Sequence, residues 1–180
     1  SEADKVVAEL EKIVKDVVDA HKDSVRKLRE IVRRAVERLR KDVDDTRRVV
    51  KEIVDIARSG DMREEVRKRL EELLRRSEEH SEKVERDLER VLKEVEDTNR
   101  DIKRRLEKRI REIEEKIKDL DERVRRKLEE VVKKVRDLSR RATEEVEEVI
   151  KEVRELVRRL KEENKRVVDE VRKRVEDTRK

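Results

Sequence analysis

The sequence predicts an all-α protein, a long antiparallel three-helix bundle in the form of a nearly untwisted rod. Three observations predict it: 59% of the 180 residues are charged, aromatic residues, proline and cysteine are absent, and apolar residues recur at helical spacing. A sheet protein needs aromatic residues and frequent turn residues, and the only glycine is Gly60. We interpret residues 1–180 as a single helical-bundle domain.

The spacing of apolar residues gives the geometry of the helices. From Val66 onward they lie four, four, three, four and three residues apart, an 18-residue repeat that makes Val66, Val84 and Ile102 equivalent. This repeat has a period of about 3.6 residues, the pitch of a straight α-helix, whereas about 3.5 would impose a left-handed supercoil. The expected core-facing stripe continues through residues 120, 124, 128, 131, 135, 138, 142, 146, 149 and 153.

The first helix is expected at about residues 2–58, with Ser1 as its N-cap. It follows the same repeat, but additional apolar residues widen its stripe, among them Val6, Ile13 and Val18. A wide apolar stripe indicates that the helix contacts at least two other helices.

A tight turn follows at Ser59-Gly60-Asp61. Gly60 can adopt the left-handed conformation that ends a helix, because it has no Cβ. Asp61 is the expected N-cap of the second helix, with Glu64 three residues later as its capping-box partner. The second helix is therefore expected at about residues 61–118.

A second turn is expected at residues 118–122, although no glycine or proline marks it. Asp121 is the expected N-cap there, which places the third helix at about residues 121–180. The alternative is one uninterrupted helix of about 119 residues, which would bury its second half in a domain-swapped antiparallel dimer.

Polar residues interrupt the apolar stripes at matching heights. Folding the chain at Gly60 and again near residue 120 sets Ser77 opposite Asn164, and Thr98 opposite Thr143. Buried polar groups that pair only in one register penalise a slipped bundle. We expect two structural polar layers, one of Thr46, Ser77, His80 and Asn164, the other of His21, Ser24, Thr98, Asn99, Ser139 and Thr143.

Catalytic and metal sites are not expected. His21, Asp23 and Ser24 resemble a base, an acid and a nucleophile, but helical residues two apart point in different directions and nothing nearby forms an oxyanion hole. No Glu-x-x-His or His-Glu-x-x-His motif occurs, and His80 is distant from His21. The chain is interpreted as a non-enzyme that needs no cofactor.

Partners are constrained by charge and by missing residue types. The net charge of +5 is interspersed with acids and no aromatic side chain can stack on a base, so specific nucleic-acid binding is not expected, although a natural basic coiled coil is a competing class. Membrane-surface helices usually carry interfacial aromatics, which are missing, and no apolar run is long enough to span a bilayer. We expect a soluble chain. The sequence shows no targeting signal and gives no localisation.

The chain combines the Ser59-Gly60-Asp61 turn, the strict 18-residue repeat, all-aliphatic stripes and isolated Ser, Thr, Asn and His residues. In this combination it resembles a computationally designed helical bundle with buried hydrogen-bond networks. The resemblance covers the whole chain and is one of style rather than homology. It implies a structural scaffold with no natural biochemical activity and no required partner. The alternative function is a helical interaction module that forms a homodimer or binds a partner helix through an exposed apolar stripe.

Overall fold

Three α-helices make up nearly all of the chain in the computed structural model, which describes residues 2–179 except for the side chains of residues 3, 178 and 179. α1 is Glu2–Ser59, α2 is Glu64–Ile117 and α3 is Glu122–Arg179. All three helices pack against one another, so the predicted all-α three-helix bundle is confirmed. Ser1, the expected N-cap of the first helix, lies outside the described residues.

The first turn forms at Gly60, which has a φ of 71°, the left-handed conformation that was predicted. The first backbone hydrogen bond of the next helix joins the Arg67 N–H to the Arg63 carbonyl oxygen, 3.0 Å apart. Because the N-cap carbonyl accepts this first bond, Arg63 is the N-cap, and the prediction of Asp61 was wrong. Asp61 instead accepts the Arg63 N–H through Oδ1 at 3.1 Å, a turn that precedes the helix.

The second turn lies between Ile117 and Glu122. The Leu120 N–H donates to the Ile117 carbonyl oxygen at 3.0 Å, which closes the last turn of α2. The Arg125 N–H then donates to the Asp121 carbonyl oxygen at 2.9 Å, so Asp121 is the N-cap, as predicted. Since one helix ends and another begins here, the alternative of a single uninterrupted helix is wrong.

The chain divides into two compact units. The first consists of the chain up to Arg33 together with Lys93–Val149. Its core takes aliphatic side chains from all three helices: Leu10, Val14 and Val17 from α1, Leu106, Ile110, Ile113 and Ile117 from α2, and Leu128, Val132 and Val135 from α3. Burial of each such side chain stabilises the fold by about 1.5–3 kcal/mol.

The second unit consists of Arg34–Leu92 together with the chain from Ile150 onward. Its first cluster contains Val49, Ile53, Ala57, Leu70, Leu73, Leu74, Val168, Val171 and Val175. Its second cluster contains Leu39, Val43, Val84, Val153, Val157 and Leu160. From the first cluster to the second, the residue numbers fall along α1 and α3 and rise along α2, so α2 is antiparallel to the other two helices in this unit.

Ion pairs connect neighbouring helices at the surface. In the first unit, Arg136 Nη2 on α3 lies 2.8 Å from Glu107 Oε1 on α2, and this hydrogen bond raises the pKa of Arg136. In the second unit, Lys161 Nζ on α3 lies 2.8 Å from Glu85 Oε1 on α2, which raises the pKa of Lys161. Exposed pairs of this kind contribute about 0–1 kcal/mol each, so the aliphatic cores dominate stability.

Candidate functional site

The candidate site is centred on the imidazole ring of His21 on α1. Both ring nitrogens, Nδ1 and Nε2, are buried without a hydrogen-bond partner among residues 2–179. Burial lowers the pKa of His21 from its ordinary value of 6.5, because the ring loses the water that would stabilise its charged form. An uncharged imidazole still carries one donor and one acceptor nitrogen, and both are left unsatisfied.

Asp23 and Ser24, the acid and hydroxyl that follow His21 in the sequence, bind other groups. The Asp23 carboxylate binds the Arg26 guanidinium, and this hydrogen bond lowers the pKa of Asp23. Ser24 Oγ donates to the Ala20 carbonyl oxygen at 3.0 Å. Proton transfer between a base and a nucleophile requires a hydrogen bond between them, and His21 makes none with either neighbour.

A groove of about 560 Å³ between α1 and α2 of the first unit has His21 in its wall. The groove is lined by Asp16, Val17, Ala20, His21, Ser24, Ile102, Arg105, Leu106, Lys108, Arg109 and Glu112. Its charged side chains carry both signs. Because the ring nitrogens of His21 are buried, the groove presents neither of them to a ligand.

The other four residues of the expected polar layer that contains His21 and Ser24 lie in the same unit as these two. Thr98 and Asn99 on α2 are half-buried, while Ser139 and Thr143 on α3 are buried. Thr143 Oγ1 donates to the Ser139 carbonyl oxygen one turn earlier, at 3.0 Å. Hydroxyls on helices commonly satisfy themselves on their own backbone in this way. The alignment of the six residues into one layer stays a prediction.

The expected polar layer of Thr46, Ser77, His80 and Asn164 lies in the other unit. Thr46 and Ser77 are fully buried, each at 0% exposure. Thr46 Oγ1 donates to the Asp42 carbonyl oxygen at 2.8 Å, and Ser77 Oγ donates to the Leu74 carbonyl oxygen at 3.1 Å. Both hydroxyls therefore bond to the backbone of their own helix. His80 is half-buried.

Asn164, the fourth member of this layer, is 4% exposed, and its side chain forms a hydrogen bond with a neighbouring helix. Its Nδ2 on α3 donates to the Ser77 carbonyl oxygen on α2 at 3.2 Å. Ser77 and Asn164, which folding the chain at its two turns was expected to set opposite each other, are therefore in contact. The remaining acceptor, Asn164 Oδ1, is buried and has no partner among the described residues. One half of the amide is thus satisfied across the helix pair and the other half is not.

Three residues of the predicted core-facing stripe are exposed to solvent. Val131, Leu138 and Val149 on α3 are 37%, 47% and 38% exposed. Five apolar positions in each 18-residue repeat cover a wide arc of a helix, and positions at the edge of that arc face solvent once the centre is packed. Sequence reasoning missed this exposed surface, because it treated all five apolar positions of the repeat as core. Treating the positions at the edge of the apolar arc separately from the central ones would have revealed it.

No group of three or more His, Asp or Glu side chains in residues 2–179 is arranged to hold a metal ion. Over the same residues, none of the helices combines the length and the apolar character that crossing a bilayer requires.

Comparison with known proteins gives a likeness of structure. A solved structure described as a "Computationally designed three helix bundle" is similar to this chain, with 18% sequence identity, a TM-score of 0.41, and coverage of 98% of this chain and 83% of that one. No protein-family model and no curated protein matches the chain.

Proposed function

We propose that the chain is a structural protein, a designed helical scaffold with no natural biochemical activity, in which buried polar residues set the register of the helices. Its surface is built from charged residues of both signs and its interior from aliphatic side chains. Four of the buried polar side chains donate to backbone carbonyl oxygens: Thr46, Ser77, Thr143 and Asn164. This distribution favours an architectural role over a chemical one.

The observation that carries the proposal is the hydrogen bond from Asn164 to the Ser77 carbonyl oxygen. Both residues occupy core positions that an aliphatic residue would fill with a larger gain in stability. A slip of α3 by one turn would move Asn164 Nδ2 away from this carbonyl and bury an unpaired donor, at a cost of about 1–3 kcal/mol. Asn164 therefore selects one register at the expense of stability.

The test is a distance measurement between α2 and α3 in the second unit. Nitroxide labels at Glu82 and Glu163, which are both exposed, report the separation of the two helices by pulsed electron spin resonance. The unsubstituted chain is expected to give one narrow distance distribution. Asn164→Leu is expected to broaden it or to add a second distance, because an apolar residue accepts several registers.

Val168→Ala is the matched control, since Val168 is buried on the same helix one turn later and its loss leaves Asn164 in place. This variant is expected to be less stable but to keep the narrow distribution. If Asn164→Leu keeps it as well, the polar residue does not set the register and the proposed role is wrong.

A further inference from the structure

A strip of apolar residues follows one side of α3 in the first unit. We call Val131, Leu138, Ala142 and Val149 the α3 strip. They lie seven, four and seven residues apart, which places them on one side of a helix with about 3.6 residues per turn. Ala142 is half-buried and the other three are exposed hydrophobic residues. Aligned apolar side chains on a surface mark an interaction site more often than scattered ones do.

The spacing of the α3 strip reads the same in both directions. A second α3 helix laid antiparallel on the first would therefore set Val131 opposite Val149 and Leu138 opposite Ala142. The large Leu138 side chain would meet the smallest residue of the strip, the arrangement by which packed helices interlock. Such a pairing has twofold symmetry, which is the commonest symmetry of homodimers.

Four charged residues run along one edge of the α3 strip: Lys134, Asp137, Arg141 and Glu145. They are three, four and four residues apart and their charges alternate in sign. In an antiparallel pair with twofold symmetry the same edges meet, so Lys134 faces Glu145 of the second copy and Asp137 faces its Arg141. In a parallel pair with twofold symmetry each edge would instead face the opposite edge of the second copy, so these four residues would not meet one another and their alternating charges would make no contacts.

The cations of this edge are available for such contacts. Lys134 and Arg141 are exposed and form no ion pair within the described part of the chain. Asp137 lies 3.4 Å from Arg140 and Glu145 lies 2.5 Å from Arg29, and each carboxylate has a second oxygen that can accept another cation. The single chain thus leaves two positive charges unpaired beside its exposed strip.

We propose that the α3 strip binds a second copy of this chain, with the two α3 helices antiparallel and each copy keeping its own three helices. The self-complementary spacing and the alternating charges favour a second copy over an unrelated partner. A contact along about 27 Å of one helix buries less than about 1,200 Å², the size range of weak interfaces. The expected dissociation constant is therefore on the order of 1–100 µM.

Sedimentation equilibrium of the full chain tests the association. The mass is expected to rise from 21.9 kDa toward twice that value as the protein is concentrated. Leu138→Glu is expected to raise the dissociation constant by at least about tenfold, because the charge would be buried without a partner. A constant mass of 21.9 kDa up to about 500 µM, well above the expected dissociation constant, would overturn the proposal.

Val6→Glu is the matched control. Val6 is an exposed hydrophobic residue of similar exposure, at 39%, but it lies on α1 outside the α3 strip. This variant is expected to leave the dissociation constant unchanged, and circular dichroism checks that both variants stay helical. Association that Leu138→Glu does not weaken, or that Val6→Glu weakens equally, would show that the chain associates through another surface.

Cysteine cross-linking tests the antiparallel orientation, with no background because the chain contains no cysteine. Val131→Cys and Val149→Cys chains are expected to form a disulfide when mixed and oxidised, and neither is expected to cross-link alone. A parallel pair would give the reverse result, since each cysteine would then meet its own copy.

Charge reversal tests the edge contacts. Asp137→Arg and Arg141→Asp are each expected to raise the dissociation constant by about tenfold, because twofold symmetry repeats the repulsive contact. The double variant is expected to restore the original value. If it binds no better than the single variants, the two residues do not face each other and the antiparallel pairing is wrong.

Discussion

The side-chain amide of Asn164 on α3 donates to the backbone carbonyl oxygen of Ser77 on α2, with Nδ2 and O 3.2 Å apart. The Ser77 hydroxyl does not share in this contact, because its Oγ donates to the Leu74 carbonyl oxygen of its own helix. In the interior of this unit, α2 and α3 are therefore joined by a hydrogen bond from a side chain to the backbone, not by a bond between two side chains.

Replacement of Asn164 by leucine is expected to stabilise the fold by about 1–2 kcal/mol, because it removes a buried acceptor that has no partner and adds apolar burial. Urea unfolding measures the change. Asn164→Ala removes the amide without filling its space and is expected to gain less. A leucine variant that is less stable than the original chain would contradict this reading.

The free energy of unfolding is expected to fall as the pH drops from about 7.5 to 5.5, because the lowered pKa of His21 makes the unfolded chain bind more protons than the folded one. The fall begins near the unfolded value of 6.5 and ends below the folded pKa. The carboxyl group of Asp23, whose pKa Arg26 lowers, titrates below this window.

Urea unfolding at the two pH values, with histidine variants, checks the assignment to His21. His21→Leu is expected to lose this part of the pH dependence. His80→Leu is the control and is expected to keep it, since His21 is still present. An equal pH dependence in the His21→Leu variant would assign the effect to other groups.

Gly60→Ala is expected to destabilise the chain by about 1 kcal/mol, because a residue with a Cβ is strained in the left-handed conformation. The cost is conformational rather than steric, since a Cβ at Gly60 would meet no atom within 4 Å. Asn tolerates this conformation better than Ala, so Gly60→Asn is expected to cost less. Thermal unfolding gives both values, and equal costs for the two variants would contradict the conformational explanation.

Leu70→Ala is expected to cost about 2–5 kcal/mol, because Leu70 is fully buried and its removal leaves a cavity in the core. Leu138→Ala, made on a leucine that is 47% exposed, is expected to cost under about 1 kcal/mol. Urea unfolding at low protein concentration, where the chain is monomeric, compares the two. Similar costs would mean that Leu138 belongs to the core.

The interpretation of residues 1–180 as one domain predicts a single cooperative unfolding transition. Each of the three helices contributes residues to both compact units, so neither unit is built from a separate stretch of chain. Circular dichroism during heating compares the unfolding transition of the original chain with that of Leu70→Ala, a substitution in the second unit. The substitution is expected to shift one transition as a whole, and a second transition that does not move would contradict the one-domain interpretation.

The elements that sequence reasoning located are those with a strong local cause. Gly60 ends α1 because only glycine takes its conformation without strain, and Asp121 begins α3 because a short acidic side chain favours an N-cap. The start of α2 was predicted wrongly at Asp61, because an aspartate that closes a turn and one that caps a helix look alike in sequence.

The surroundings of single side chains were harder to predict. The stripe period places Leu138 on the core side of α3, but its exposure depends on how far the neighbouring helices reach around that side. For Thr46, a bond to its own helix and a bond across helices both satisfy the hydroxyl, and sequence does not decide between them. Local chemistry fixes helix ends, whereas packing between helices fixes exposure and polar partners.

The central claim is that one chain folds back twice, so that α2 and α3 pack antiparallel within the same molecule. The side chains of Glu85 on α2 and Lys161 on α3 form an ion pair at 2.8 Å. The double variant Glu85→Cys, Lys161→Cys, treated with a short bifunctional maleimide at low protein concentration, tests whether this contact lies within one chain. The single-chain bundle is expected to give a cross-linked product at the monomer mass of 21.9 kDa. The control variant Glu85→Cys, which has one cysteine, is expected to give no product cross-linked within the chain. A product of twice that mass would show that α3 packs on another copy and would contradict the single-chain bundle.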